Sequence, residues 1–142
     1  MKRVSGTTSW KGSDRQIIKE KKRIMIADDD PDVTLILKDV LYDDRFKVDS
    51  FNNPILALKN FQAGSYDLLI IDINMPQMSG FDLYEKIREI DNKVKIRFLA
   101  TESEINFGDA LPLPDVNCFI KKPIENEEMV IKQVTEVIGQ TE

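Results

Sequence analysis

Four side chains offer this sequence its chemistry: Asp28, Asp29, Asp72 and Lys122. Carboxylates attack electrophiles and bind hard cations, and a lysine ammonium is a compact, flexible point charge suited to a phosphate oxygen. Each of the four stands at the end of an apolar run. Asp28 and Asp29 follow residues 24–26, Ile-Met-Ile. Asp72 ends the unbroken run Leu68-Leu69-Ile70-Ile71, and Lys122 lies just beyond residues 117–120. Short continuous apolar runs suit strands buried on both faces, as in a parallel sheet. The bland alternative is that the acids cap helices or lie solvated in loops, and that Lys122 is a surface lysine beside Lys121.

The elements between these runs decide whether they share an edge. Val33, Ile36, Leu37, Val40 and Leu41 recur at helical spacing after the starting signals Asp30 and Pro31. Residues 46–51 alternate partially, as a second strand. Asn53-Pro54 opens a second helix through Ile55, Ala57, Leu58 and Phe61, with Gly64 ending it. Residues 81–90 form a third helix with Leu83, Ile87 and Ile90 on one face. Residues 94–99 form strand four. A last helix over 125–138 carries Met129, Val130, Val134, Val137 and Ile138. Residues 102–110 have poor periodicity, and Leu111-Pro-Leu-Pro114 halts any helix there, so helix four is expected to be short or irregular. Strand and helix therefore alternate five times, which predicts a doubly wound α/β fold with a five-stranded parallel sheet.

Ligands of such sheets bind at the carboxyl ends of the strands. Were strands one and three neighbours, as in one common doubly wound order, Asp28, Asp29 and Asp72 would crowd together. Their repulsion calls for a cation, and a hard divalent ion with oxygen ligands, magnesium, is the natural one.

Composition sets limits. The chain has 142 residues, no histidine and one cysteine. A histidine-dependent triad, a histidine-ligated zinc site, a thiolate cluster and an intrachain disulfide are therefore all excluded. Cys118 reads as a small buried hydrophobe. No apolar run approaches the length of a membrane span, and no secretion signal follows the basic start, so a cytoplasmic setting is expected. Residues 1–23 hold eight Lys/Arg against two Asp/Glu, a net of +6, whereas 24–142 hold twelve against twenty-three, a net of −11. Residues 1–22 read as a disordered basic tail with Trp10 its one aromatic, and 23–142 as a single domain. An acidic body is a poor nucleic-acid surface, so contact with nucleic acid is left only to the tail.

Three blocks together resemble a known family. Ile24-Met25-Ile26-Ala27-Asp28-Asp29-Asp30-Pro31, Leu69-Ile70-Ile71-Asp72-Ile73-Asn74-Met75-Pro76-Gln77-Met78-Ser79-Gly80 and Phe119-Ile120-Lys121-Lys122-Pro123 look like the response-regulator receiver domain of the CheY-like family, stand-alone type. The resemblance implies a flavodoxin-like (βα)5 fold with strand order 2-1-3-4-5. It implies that Asp72 is the phosphoacceptor, taking the phosphoryl group from a phosphohistidine on a sensor histidine kinase or phosphotransfer protein. Magnesium would be bound by Asp29, Asp72 and the backbone carbonyl of Asn74, with Asp28 acting through a water. Lys122 would pair with the carboxylate or phosphoryl group, ahead of a cis bond to Pro123. Phe119 stands at the switch aromatic position, where the bland reading is core packing. Met75 and Met78 read as loop packing, and Asp30 and Asp32 as helix-start residues.

One place departs from the family. Its members end strand four with Thr or Ser followed by a small residue, and this chain has Ala100-Thr101-Glu102. Gap-free alignment puts Ala100 at the hydroxyl position; a one-residue shift puts Thr101 there and Glu102 at the small one. Because a one-residue shift reverses a strand side chain's direction, the two readings differ physically. The expected function is a magnesium-dependent phosphoaspartate switch whose output lies in a partner. The departure keeps open a receiver-fold interaction module that is not regulated by phosphate. Asp72-Ile73-Asn74 also faintly resembles the Asp-x-Asp of small aspartyl-phosphate phosphohydrolases, although Asn74 lacks the general acid that chemistry needs.

Overall fold

The computed structural model describes residues 20–106 and 119–139. Residues 1–19, residues 107–118, which include Cys118, and residues 140–142 lie outside the described residues. The strands are β1 (Lys22–Ala27), β2 (Phe46–Phe51), β3 (Leu68–Asp72), β4 (Lys95–Thr101) and β5 (Phe119–Lys122). The helices are α1 (Pro31–Val40), α2 (Pro54–Asn60), α3 (Gly80–Ile90), α4 (Glu102–Asn106) and α5 (Glu127–Gly139). All pairings are parallel, in the order β2-β1-β3-β4-β5, so β1 and β3 are neighbours. Parallel strands need crossover connections, and the helices supply them on both faces of the sheet.

Alternation along the strands sorts two cores. Ile24, Ile26, Leu68, Ile70, Leu99 and Ile120 face α1 and α5, against Leu37, Val134 and Val137. Met25, Ala27, Leu69, Ile71, Phe98 and Phe119 face α2 and α3, against Ala57, Leu83 and Ile87. All five residues of β3 are buried, as expected for the central strand of a sheet covered on both sides. Burying each large aliphatic side chain contributes about 2 kcal/mol, so the run Leu68–Ile71 anchors β3 firmly in the sheet.

The helix starts follow local chemistry. Asp30 caps α1 by accepting from the Asp32 N–H at 2.9 Å, with Pro31 in the first turn. Asn53 caps α2 by accepting from Ile55 N–H and Leu56 N–H at 2.8 and 3.1 Å. Ser79 caps α3 by accepting from Asp82 N–H at 3.1 Å.

Some expected core positions are not core. Ile36, Ile55, Ile90 and Met129 are exposed, Met129 by 51%. Around α1, Leu37, Val40 and Leu41 are buried as the apolar pattern suggests, but Thr34 is buried as well and Ile36 is not. Thr34 tolerates burial because its hydroxyl donates to the Pro31 carbonyl at 3.0 Å and accepts from Asn52 Nδ2 at 3.0 Å. Strand four runs to Thr101 rather than stopping at Leu99, and strand five runs on to include Lys122. Helix four has five residues among those described.

Gly80 opens α3 against the end of β3. A Cβ there would press on the Asp72 carbonyl oxygen and lie 2.8 Å from Ile73 Cα. The Gly80 N–H donates to the Ile73 carbonyl at 3.0 Å, which holds the two segments at that separation. Gly80→Ala should therefore lower stability by about 1–3 kcal/mol, as overpacking against an unyielding backbone does. Urea denaturation checks this, and an unchanged midpoint would show that the loop gives way freely.

Candidate functional site

The strand order brings Asp28, Asp72 and Lys122 to one edge of the sheet. Asp72 is the last residue of β3 and Lys122 the last of β5, while Asp28 and Asp29 directly follow β1. By alternation Asp28 and Asp72 share the side of Ile26, Ile70 and Ile120, facing α1 and α5. Asp28 is fully buried and Asp72 is 3% exposed. Lys122 Nζ bridges them, 3.3 Å from Asp28 Oδ2 and 3.1 Å from Asp72 Oδ1.

One ammonium does not balance this site. Asp29 is exposed, yet one carboxylate oxygen from each of Asp28, Asp29 and Asp72 lies within 4.8 Å of the others. Burial is the main force raising the Asp72 carboxyl to about 6, with the Asp28 charge adding to it and Lys122 opposing it. The Asp28 carboxyl is also pushed up by burial, against the Asp30 N–H and Lys122, which favour its charged form. Burial works against the Lys122 ammonium, but the facing carboxylates of Asp28 and Asp72 outweigh it and hold its pKa above the ordinary lysine value.

The backbone around the acids is held from several directions. Asp30 N–H donates to Asp28 Oδ1 at 2.9 Å, and Asn52 Nδ2 donates to the Asp28 carbonyl at 2.9 Å. Asn52 thus ties the end of β1 to Thr34 of α1. Neither residue was expected at the site. Thr34 left one signal, a polar residue inside an apolar stripe, and Asn52 left none. In the β3–α3 loop, Asn74 N–H reaches Asp72 Oδ1 at a long 3.5 Å. Gln77 has a left-handed φ of 75°, and its side-chain oxygen accepts from Asn53 Nδ2 at 3.1 Å. Met75 is buried and Met78 partly so, both in the α2/α3 core. The Lys122–Pro123 bond is cis.

At the end of β4 the two candidate hydroxyl positions separate. Ala100 is fully buried in the α2/α3 core with Phe98 and Phe119, on the side opposite Leu99. Thr101 pairs with Lys122 in the parallel register and so projects to the side of Lys122 and Asp72. It also starts α4: Glu104 N–H donates to Thr101 Oγ1 at 3.2 Å, and Thr101 N–H donates to Glu104 Oε1 at 2.8 Å. This reciprocal pair is a capping box, signalled in sequence by Thr101-Glu102-Ser103-Glu104. Glu102 pairs instead with Lys121 at 2.9 Å. Phe119 is buried, its ring centroid 6.4 Å from that of Phe98.

Chemically, the edge holds a buried nucleophilic carboxylate, an all-oxygen donor set with excess negative charge, and a fixed ammonium. That donor set fits a hard divalent cation.

Comparison with known proteins agrees with this geometry. The model of the response regulator receiver domain matches residues 24–133. Response regulator receiver protein CpdR of Brucella abortus (strain 2308) is 30% identical over 109 residues, covering 77% of this chain and 91% of CpdR. Sensor protein EvgS of Escherichia coli (strain K12) is 37% identical over 105 residues, covering 74% of this chain but 9% of EvgS. The chain also spans about half the length of several transcriptional regulators it matches. Among solved structures, the non-phosphorylated HemR receiver domain of Leptospira biflexa aligns with a TM-score of 0.67 at 28% identity, covering 83% of this chain and 94% of that one. Chemotaxis protein CheY4 of Vibrio cholerae aligns at 0.66 over 83% of this chain and 99% of its own, and at 23% identity it shares the fold. No described helix is long and apolar enough to cross a membrane.

The raised Asp72 carboxyl has a stability consequence. A carboxyl whose folded pKa lies above its unfolded value penalises the folded state once it ionises, so stability falls as pH rises from about 4 through about 6. Asp72→Asn removes that penalty. It should stabilise the metal-free protein at pH 7 by roughly 2–3 kcal/mol, with little gain near pH 4. Thermal melts at both pH values check this; equal gains would contradict it.

Proposed function

The chain belongs to the response regulator receiver domain family, and we propose that it works as a magnesium-dependent phosphoaspartate switch in a two-component pathway. The observation that carries this reading is the buried Asp72 carboxylate, 3.1 Å from Lys122 Nζ and clustered with Asp28 and Asp29. Asp72 attacks the phosphorus of a phosphohistidine on a sensor histidine kinase or phosphotransfer protein. A P–O bond forms and the P–N bond breaks, the imidazole nitrogen keeping the electron pair and taking up a proton. The protein is then a signalling phosphoacceptor that promotes its own phosphorylation and dephosphorylation, rather than an enzyme acting on a separate substrate.

Asp28, Asp29, Asp72 and the Asn74 carbonyl would hold magnesium, which when bound supplies positive charge to the transferred phosphoryl oxygens. Lys122 supplies a second positive charge that is already in place. Thr101, on the same side of the sheet, donates its hydroxyl to a phosphoryl oxygen. Phe119, packed with Ala100 and Phe98, is the aromatic that responds to the new charge of about −2. The receiver body begins with β1 at Lys22, one residue before the expected boundary, the residues before it are a basic tail, and the signal passes to an output partner. A cytoplasmic setting goes with this reading.

A second reading, an interaction module indifferent to phosphate, draws on the placement of Ala100 in the core where the family's alignment expects a hydroxyl. It predicts partner binding unchanged by beryllofluoride.

Incubation with magnesium and acetyl phosphate should add one phosphoryl group by intact mass. Chelation should abolish the addition, and Asp72→Asn should not acquire it. An unmodified parent protein, or a modified Asp72→Asn, would sink the phosphoacceptor reading.

A further inference from the structure

We infer that Glu104 is a positioning residue for phosphoryl transfer, acting through Thr101; this deepens the phosphoacceptor reading and rests on it. Thr101 ends β4 in register with Lys122, whose Nζ touches Asp72. Its neighbour Ala100 points to the opposite face, into the α2/α3 core. Thr101 is therefore the hydroxyl that β4 turns toward the acidic edge. A strand-end hydroxyl is ordinarily free to rotate about χ1 among staggered positions. Here two hydrogen bonds limit it. Glu104 N–H, 3.2 Å away, occupies an acceptor position of Thr101 Oγ1. The Glu104 carboxylate accepts the Thr101 backbone N–H at 2.8 Å, fixing the peptide from which that side chain springs. A hydroxyl has one proton, and the box uses the oxygen only as acceptor. The proton stays available to donate toward the sheet edge, from an oxygen that the box holds in place.

The neighbouring acid is kept out of the way. Glu102 would repel an incoming phosphoryl group if it turned to the same edge. It is paired at 2.9 Å with Lys121, which alternates to the face opposite Lys122. The first turn of α4 thus has one carboxylate bound to a backbone amide and another to an outward lysine. Glu104, not the helix as a whole, makes the link to Thr101.

The experiment measures the rate at which acetyl phosphate with magnesium phosphorylates Asp72 in the parent, Glu104→Ala, Glu104→Gln, Thr101→Ala and Thr101→Ala/Glu104→Ala proteins. Thermal melting and magnesium affinity are followed alongside. Glu104→Ala should slow the reaction about fivefold, the scale of one lost hydrogen bond. Glu104→Gln should restore the rate to within about twofold, because glutamine completes the same box. Magnesium affinity should be unchanged throughout. Adding Glu104→Ala to Thr101→Ala should slow the reaction no further. An undiminished rate in Glu104→Ala overturns the inference. So does a further loss in the double variant, or a Glu104→Gln protein as slow as Glu104→Ala. A parent that takes no phosphoryl group overturns both this inference and the phosphoacceptor reading; a reactive parent with unaffected variants overturns this one alone.

Discussion

Two carboxylates buried side by side, with one ammonium between them, set the terms for the rest of the molecule. Water would screen Asp28 and Asp72 from each other, but the sheet and its helices exclude it. The arrangement survives because each acid has a fixed counterpart. Asp28 has a backbone amide and Lys122, while Asp72 has Lys122 and a distant amide. Lys122 can reach both only because β5 stays in register with β4, and β4 with β3, to their last residues. The hydrophobic strands thus bring together charges that repel. The remaining imbalance is what a doubly charged ion and a phosphoryl group can use.

Much of this was legible in the sequence. The unbroken run into Asp72, the acidic pair after the first strand and the Lys-Pro after the last each mark a strand end. Parallel topology places such ends on one edge. The neighbour relation of β1 and β3 came with the family resemblance, and the structure has it. What escaped was decided by rotation and by partners. Ile36 and Met129 match the apolar spacing yet stay exposed, while Thr34, which the pattern omits, faces inward. Hydropathy cannot foresee a buried helical threonine whose hydroxyl is satisfied by an asparagine from the loop after β2. The Ala100–Thr101 ambiguity was of the same kind. In a structure with a period of two, the side a residue faces depends on where regular pairing ends, and β4 continues two residues past its last large apolar residue.

The same alternation sorts charge. Lys121 and Lys122 are adjacent in sequence but serve opposite faces, one pairing with Glu102 outside and one with the buried acids. A single-residue slip of β5 would turn Lys122 to the outer side, toward Glu102, and take its ammonium away from the buried acids. Register is therefore defended by electrostatics at the strand ends as well as by hydrophobic contacts along the strands.

The bare Cα of Gly80 has one more effect. It lets α3 rest directly on the peptide that follows Asp72, with no compressible side chain between them. The contact is a stiff joint, and the 11-residue helix beyond it is an arm about 16 Å long. A shift of a few tenths of an ångström at the Asp72 carbonyl would turn this arm about its root, and its far end, near Arg88 and Ile90, would sweep through a larger arc. This close fit is thereby also a mechanical lever.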